Sequence, residues 1–520
     1  MTISVNSRAA GVGAGVKNVQ FISEAKVIER KVLIIGTYDP AITTIVDEEP
    51  VQIFSAEDAG SKFGFGFMAH RLAVQAFVGS NGVKTYVQPQ AEGVGAAAGA
   101  GDVDFVGSTG VVAGTLALYI AGIRVAVAIT DSMTADEVAT AVAAAITAEK
   151  ELPVTCVVNG VTTSQVDITS KSKGTWGNDI SIRLNQLSGE ETPSGIALAI
   201  TDMASGATDP DIGDALDGLG TGDDANELHF TDVVHGYGQA TATLNAIRDY
   251  VGAGNVLIGL YDQLVARPFR VLTGDTASGS GGLTALIALG DGRKTDRANG
   301  VIAVPDSPNH PAEIAANAIG IMARINSNLA EQNYIDEILT GIIPGAKANR
   351  WTSDYDSRDS AVKSGVSPTK IKGSTVYLQN VLSFYHPDDV PVASNGFASM
   401  RNISITQNIL ANVKLNFEQE KWKGISIVDD VAKVSSVADR SKARDVETVK
   451  DDLVALIRDF ESKAWIYQAA FSYERLAADD AVTIRSGTTG FDIILDVIYS
   501  GEGGILNTLI QFDTSISVLG

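Results

Sequence analysis

Two tracts of this chain, 27–90 and 227–304, repeat one rhythm: a short apolar run, a stretch with helical spacing, then another apolar run. In the first, VLIIG (32–36) precedes Ser55 opening SAEDAGSKF, the run Gly66 to Val78, and KTYVQPQ (84–90). In the second, Ala240 to Val251 reads as a helix, with NVLIGLYD (255–262) and GVIAVP (300–305) as strands. Unbroken apolar runs belong to strands buried on both faces, and a helix between two such strands is the crossover of a parallel sheet. The expected fold class is therefore α/β, with a largely parallel sheet.

The stretch between the tracts differs. It opens on GVGAAAGAGD (93–102) and carries paired alternating runs: Thr115 to Ile120, Arg124 to Ile129, Thr155 to Val158, Gln165 to Ile168, Asp179 to Leu184 and Ile196 to Ile200. One helix interrupts them, with a capping box at Thr134 and Glu137 and the stripe Val138, Val142, Ile146. It closes on the Gly- and Asp-rich ASGATDPDIGDALDGLGTGDD (204–224). This order predicts a mostly β domain inserted into the α/β domain. Beyond Pro305 come a helix from Ala312 to about Leu329, a polar turn-rich segment at 350–368, a strand at Ser374 to Leu382 and a stretch from Arg401 to about Trp422. A last amphipathic helix, Val446 to Trp465, carries Val449, Leu453, Leu456, Ile457 and Phe460 on one side and must pack on a sheet.

Both ends carry strand patterns beside glycine. Ile3, Val5, Val19 and Phe21 flank GVGAGV (11–16), too poor in large apolar groups to fold alone. At the far end Phe491, Ile493, Leu495 and Val497 lie in the strand pattern Phe491 to Tyr499, followed by Ser500-Gly-Glu-Gly-Gly504. The run from Ile510 through Phe512 and Ile516 to Val518 then alternates apolar and polar with period two. These residues are candidates for strand exchange between copies. Gly11, Gly13, Gly15, Gly501, Gly503 and Gly504 are candidate hinges. The resulting layout is an arm at 1–24, an α/β domain at 25–94 and 223–390, the insertion at 95–222, a C-terminal α/β domain at 391–504 and an arm at 505–520.

Composition narrows function. A net charge of −23 disfavours a chain built to grip nucleic acid. One cysteine, Cys156, permits no intrachain disulfide and no Cys-rich metal site, and its apolar strand points to packing rather than to a nucleophile. The histidines His70, His229, His235, His310 and His386 show no HExxH spacing. His310, in SPNHP, reads as a turn before a helix. No run of about 18 apolar residues or secretory start is present, so neither membrane insertion nor export is expected. GVGAGV has no strand before it, and Gly274 to Gly282, which follows strand-like RPFRVLT, lacks the Lys-Ser/Thr pair of a phosphate loop. The Asp-rich 209–224 segment misses the calcium-loop order and reads as linker. No catalytic residue, cofactor or metal ligand is expected. Arg440, Lys442 and Arg444 concentrate three cations in five residues, either a solvated basic turn or a contact for an acidic partner.

Taken in order, several stretches resemble the sheath protein of contractile bacteriophage tails: NVQFISEAKVIERKVLIIGT (18–37), GTLALYIAGIRVAVAITDSMTADEVATAVAAAI (114–146), KGTWGNDISI (173–182), SPNHPAEIAANAIGIMARI (307–325) with LTGIIPG (339–345), and SGVSPTKIKGSTVYLQNVLSFY (364–385). None is a catalytic signature, and their specificity lies in their joint order. The resemblance covers essentially the whole chain. It implies a multidomain sheath architecture whose terminal arms complete sheets in neighbouring subunits, a homo-polymer around an inner tail tube protein, and baseplate and tail-terminator proteins at its ends. It implies a virion tail component assembled in the host cytoplasm, with no enzymatic step, no direct nucleic acid contact and no membrane insertion. Arg440, Lys442 and Arg444 would then face the tube. A related contractile injection system, a nucleotide-binding enzyme, and a capsid-decoration protein or adhesin using the β insertion are the alternatives.

Overall fold

The computed structural model describes residues 25–220, 228–252, 258–387, 395–485 and 490–501. They fall into two compact units, one of 27–418 with 499–501, the other of 25–26 with 419–498. The fold class is mixed α/β, as the strand–helix rhythm required.

The larger unit is organised by one eight-stranded sheet. Its strands are β1 (Lys31–Thr37), β2 (Val51–Ile53) and β3 (Lys84–Gln90) before the insertion. In the insertion lie β4 (Ala98–Asp104), β5 (Gly114–Ile120), β6 (Ile123–Ile129), β7 (Val154–Val158), β8 (Gln165–Lys173), β9 (Ile182–Leu184) and β10 (Ala199–Ala204). The sheet resumes with β11 (Asp232–His235), β12 (Arg270–Asp275), β13 (Asn299–Ala303), β14 (Val366–Lys372) and β15 (Thr375–Leu378). The spatial order is β15-β14-β13-β12-β11-β1-β3-β2, parallel from β14 through β3, with antiparallel β15 and β2 at the two edges. Burial on both faces explains the sequence pattern: Val32, Leu33, Ile34 and Ile35 of β1 have no exposed surface.

Helices Met68–Ser80 and Pro311–Asn326 pack on each other and on this sheet. The second begins at His310, whose Nδ1 accepts from the Ala312 N–H at 3.2 Å, with Pro311 preset for the first turn. Nearly every residue of it is buried, so its charge had to be matched internally. Arg71 donates to both oxygens of Glu313 at 2.9 and 2.8 Å in a fully buried pair. The two helices approach so closely at Gly79 and Gly320 that a Cβ on Gly320 would stand 2.4 Å from the Ala76 carbonyl oxygen.

The inserted strands form two sheets of their own, β10-β4-β8-β7 and β6-β5-β9. The Ala135–Ala148 helix carries the capping box between Thr134 and Glu137, and Val138, Val142 and Ile146 are buried. Its core is continuous with that of the parallel sheet.

Several local readings need correction. NVLIGLYD does not form a strand over its described part: Gly259 takes φ +60 and opens a 3₁₀ turn, Gly259–Tyr261, and β12 supplies the sheet position instead. Asp179 to Leu184 is extended only in β9, because 175–179 coil into a 3₁₀ turn after Gly174 at φ +101. Ser374 to Leu382 shortens to β15. The polar 350–368 segment contains a helix, Tyr355–Lys363, capped by Asp354. Helix Met400–Phe417, grouped with the C-terminal region by its pattern, packs within the larger unit through a buried polar face. Gln407 Nε2 donates to the Thr231 and Pro268 carbonyls at 2.9 and 3.0 Å, and Arg30 donates to Gln407 and Ser404.

In the smaller unit, helix Val446–Ser462 starts at the Asp445 cap and buries the expected stripe. That face meets helix Ala469–Ala477 and strand Val482–Ile484. The expected strand Phe491 to Tyr499 is broken: Phe491–Ile493 pairs antiparallel with Val482–Ile484, and 494–497 leave strand geometry. The Ile494 N–H still bonds the Ala481 carbonyl at 2.8 Å, one rung beyond the Val482–Ile493 pair, and past it Asp496 pairs with Arg475 at 2.8 Å.

Candidate functional site: strand edges, a basic stretch and a polar cavity

The candidate strand-exchange residues at Ile3, Val5, Val19, Phe21, Ile510, Phe512, Ile516 and Val518 lie outside the described residues, as do Gly11, Gly13, Gly15, Gly503 and Gly504. Phe491 and Ile493 stand half-buried in a two-stranded hairpin, opposite Ile484 and Val482. Among the described residues neither outer edge of this hairpin is paired with another strand. Two strands alone are marginal, and an added strand would use hydrogen-bonding groups already lined up. Leu495 and Val497 are half-buried but outside the hairpin.

Chain segments adjoining both arms are anchored. In the smaller unit the Ala25 N–H donates to Asp459 Oδ2 at 3.0 Å; in the larger, the Ile28 N–H donates to Asn408 Oδ1 at 2.8 Å. At the other end Arg401 donates to the Ser500 carbonyl at 2.6 Å, and the Tyr499 and Thr406 hydroxyls lie 2.8 Å apart. Gly501 follows directly, with open space where a Cβ would project.

Arg440 and Lys442 sit in the last turn of the short helix Val437–Lys442, and Arg444 two residues on. The stretch lies just ahead of the long helix Val446–Ser462, near whose start cations are disfavoured, but Arg440 and Lys442 also end a preceding helix, where they are favoured. Arg440 donates twice to the Val434 carbonyl, at 2.9 and 2.6 Å. Lys442 reaches the Lys423 carbonyl at 3.3 Å, and Arg444 the Lys421 carbonyl at 2.6 Å. Among the described residues no carboxylate pairs with any of the three, so their charge is held by neutral carbonyls.

Sequence reasoning missed a cavity of about 470 Å³ at the carboxyl ends of β11 and β12. Gly274 to Ser278 of the glycine-rich stretch, Asp179, Arg183, His235 and Asp306 help line it. Crevices at this end of a parallel sheet are where open α/β folds bind ligands. Asp275 accepts from the Ala277 N–H at 2.8 Å and from Gln239 Nε2 at 3.3 Å. Asp179 is reachable by water from the mouth, but surrounding protein, with Asp275 and Asp209, pushes its pKa up to about 6. Burial pulls His235 down to about 4, so the ring is neutral. The only signal for the cavity was the glycine-rich stretch after a strand. Its polar walls come from separate parts of the chain.

Two other expectations concern His310, which also lines the cavity, and Cys156. His310 is buried, stacked on Trp176 with ring centroids 3.6 Å apart, and serves the helix start. Cys156 is half-buried, its thiol pushed up by burial and 3.4 Å from the Ala143 carbonyl. Among the described residues no group of three or more His, Cys, Asp or Glu is placed to hold a metal ion, and no helix is long and apolar enough to cross a membrane.

Comparison with known proteins adds what geometry does not carry. No protein-family model matches the chain. It is 28% identical over 396 residues, 74% of this chain and 75% of the other, to the Mu-like prophage FluMu tail sheath protein of Haemophilus influenzae. Two solved sheath tail proteins align at lower similarity. The one from Desulfitobacterium hafniense is 11% identical with TM-score 0.43, covering 93% of this chain and 98% of that one. The one from Listeria innocua is 12% identical with TM-score 0.40, covering 92% and 94%. The resemblance to contractile tail sheath proteins, first visible as ordered motifs, thus has an aligned sequence relative of that kind.

Proposed function

We propose that this chain is a structural subunit of a contractile tail sheath, a virion component that polymerises helically around an inner tail tube. The observation that carries this is the alignment with a tail sheath protein over three quarters of each chain. In this reading the sheath assembles in the host cytoplasm, meets baseplate and terminator proteins at its ends, and contracts to drive the tube through the host envelope. It catalyses no reaction.

Assembly proceeds by strand exchange. The terminal arms of one copy add to the hairpin Val482–Ile484/Phe491–Ile493 of another, whose outer edges have no described partner strand. Each backbone hydrogen bond gained contributes about 0.5–1.5 kcal/mol net, and each buried large apolar side chain about 1.5–3 kcal/mol. Ordering an arm offsets much of this, so a single link is modest and the lattice is strong through repetition. The glycines at 11–15 and 501–504 let units turn while the arms stay hooked.

Electron microscopy of the concentrated, purified chain tests the reading. Tubes of regular helical lattice are the expected result, whereas a chain that stays monomeric under all assembly conditions would contradict it.

A further inference from the structure

Ile28 and Tyr499 stand near opposite ends of the chain, yet one element of the larger unit, helix Met400–Phe417, holds the backbone or side chain of both. The Ile28 N–H donates to Asn408 Oδ1 at 2.8 Å, the Tyr499 and Thr406 hydroxyls lie 2.8 Å apart, and Arg401 donates to the Ser500 carbonyl at 2.6 Å. A helix rises about 1.5 Å per residue, so anchors from Arg401 to Asn408 occupy about 10 Å of its axis, or about two turns. The root of the N-terminal arm, 27–30, and that of the C-terminal arm, 499–501, are thus tied to neighbouring turns of one helix.

How this helix is seated decides whether the two anchorages are independent. Gln407 Nε2 donates to the Thr231 and Pro268 carbonyls at 2.9 and 3.0 Å, and the Met400 carbonyl accepts from Arg270 at 2.6 Å. Arg30, two residues after Ile28 and 2% exposed, donates to Gln407 and Ser404 of the helix and to the Asn326 carbonyl at 3.3 Å. Among the described residues Arg30 pairs with no carboxylate, so neutral oxygens, most of them on this helix, solvate its charge. Apolar burial is non-directional, whereas hydrogen bonds weaken steeply with misalignment, and a buried charge stripped of its acceptors is costly. A helix displaced from this seat forfeits its bonds together. The seat is therefore all-or-none, and each root helps to hold it.

We infer that helix Met400–Phe417 is a coupling element: its seat and the two arm roots open and close as one unit, so the placement of one arm depends on that of the other. The joint opening is a property of the single chain, and its use in assembly rests on the strand-exchange reading. There, a copy hooked by one arm holds the root of its second arm in place for the next neighbour. Coupling between two sites is reciprocal, so either arm can act first.

Tyr499→Phe deletes one hydroxyl at the C-terminal root and changes no residue of the helix or of 27–30. Hydrogen exchange of the dispersed full chain, followed by mass spectrometry, should show 27–30 and 400–417 opening together, and faster than Val32 to Ile35 of β1, which report global unfolding. Y499F should speed exchange of both segments by one common factor, about fivefold. In tubes of the unaltered chain both segments should slow, again by one common factor. Exchange at 27–30 that Y499F leaves unchanged would show independent anchorage and overturn the inference. Segments that exchange only together with Val32 to Ile35, or tubes in which one segment slows and the other does not, would overturn it as well. The exchange of the dispersed chain needs no polymer, so a chain that forms no tubes would refute the sheath reading while leaving the coupling to stand or fall on Y499F.

Discussion

Arg71 and Glu313 show what burial demands of a charged residue. Burial alone would lower the guanidinium pKa, but the Glu313 carboxylate more than offsets it and the net direction is upward. Replacing Glu313 by Gln leaves Arg71 buried without a counter-charge, which should cost about 3–5 kcal/mol of stability. Replacing both partners by apolar residues of similar volume should cost far less. Urea unfolding of the two variants measures the difference, and equal losses would show that packing, not the ion pair, sets the value. Asp179 gives the pH dependence. Burial and the nearby Asp275 and Asp209 hold its folded pKa at about 6, above the ordinary aspartate value of 3.8, so the folded chain keeps this proton where the unfolded chain has lost it. The site therefore costs stability increasingly as pH rises from about 4 through 6, then levels off. D179N should remove that slope and be the more stable form at pH 7; parallel urea midpoints for the two proteins from pH 4 to 7 would contradict the assignment.

Elements of the fold were legible where side chains answer to local rules. The capping box at Thr134 and Glu137 and the stripe on Val446–Ser462 could be read directly because caps and apolar faces are spaced by the helix itself. Strand β11 could not: its sequence DVVH has polar ends, Asp232 bound to Arg270 at 2.7 Å and His235 at the cavity. The break was hidden because Leu495 and Val497 continue the apolar alternation past Ile494, whose bond to Ala481 is the last backbone bond of the pairing among the described residues. The buried polar face of Met400–Phe417 was equally hidden, since Ser404, Gln407 and Asn408 look like a solvated face until their partners, distant in sequence, are known. The crossing of Met68–Ser80 with Pro311–Asn326 yields a prediction at this scale. Gly320→Ala gains about 1 kcal/mol of helix propensity, but its Cβ would collide with the Ala76 carbonyl and the Ser80 nitrogen. Overpacking of this kind costs about 1–3 kcal/mol, so net destabilisation is expected; a rise in melting temperature would show that the helices can part. The basic stretch yields another. Reversing Arg440, Lys442 and Arg444 to Glu should prevent co-assembly on tail tubes and spare self-polymerisation, and ordinary co-assembly by this variant would place the tube contact elsewhere. Because exposed ion pairs contribute only about 0–1 kcal/mol each, that contact should weaken with salt.

For the whole molecule, a larger α/β unit carrying the inserted sheets is joined in sequence to a small unit whose hairpin has outer edges without a described partner strand. Chain segments next to both arms are pinned by Asp459, Asn408 and Arg401. In the proposed reading such a molecule links copies through its ends. That is the central claim, and negative-stain electron microscopy of the full chain beside variants lacking 1–22 or 506–520 tests it most directly. Tubes from the full chain and only dispersed, folded subunits from both truncated chains are predicted; tubes of unchanged lattice from both truncated chains would contradict it.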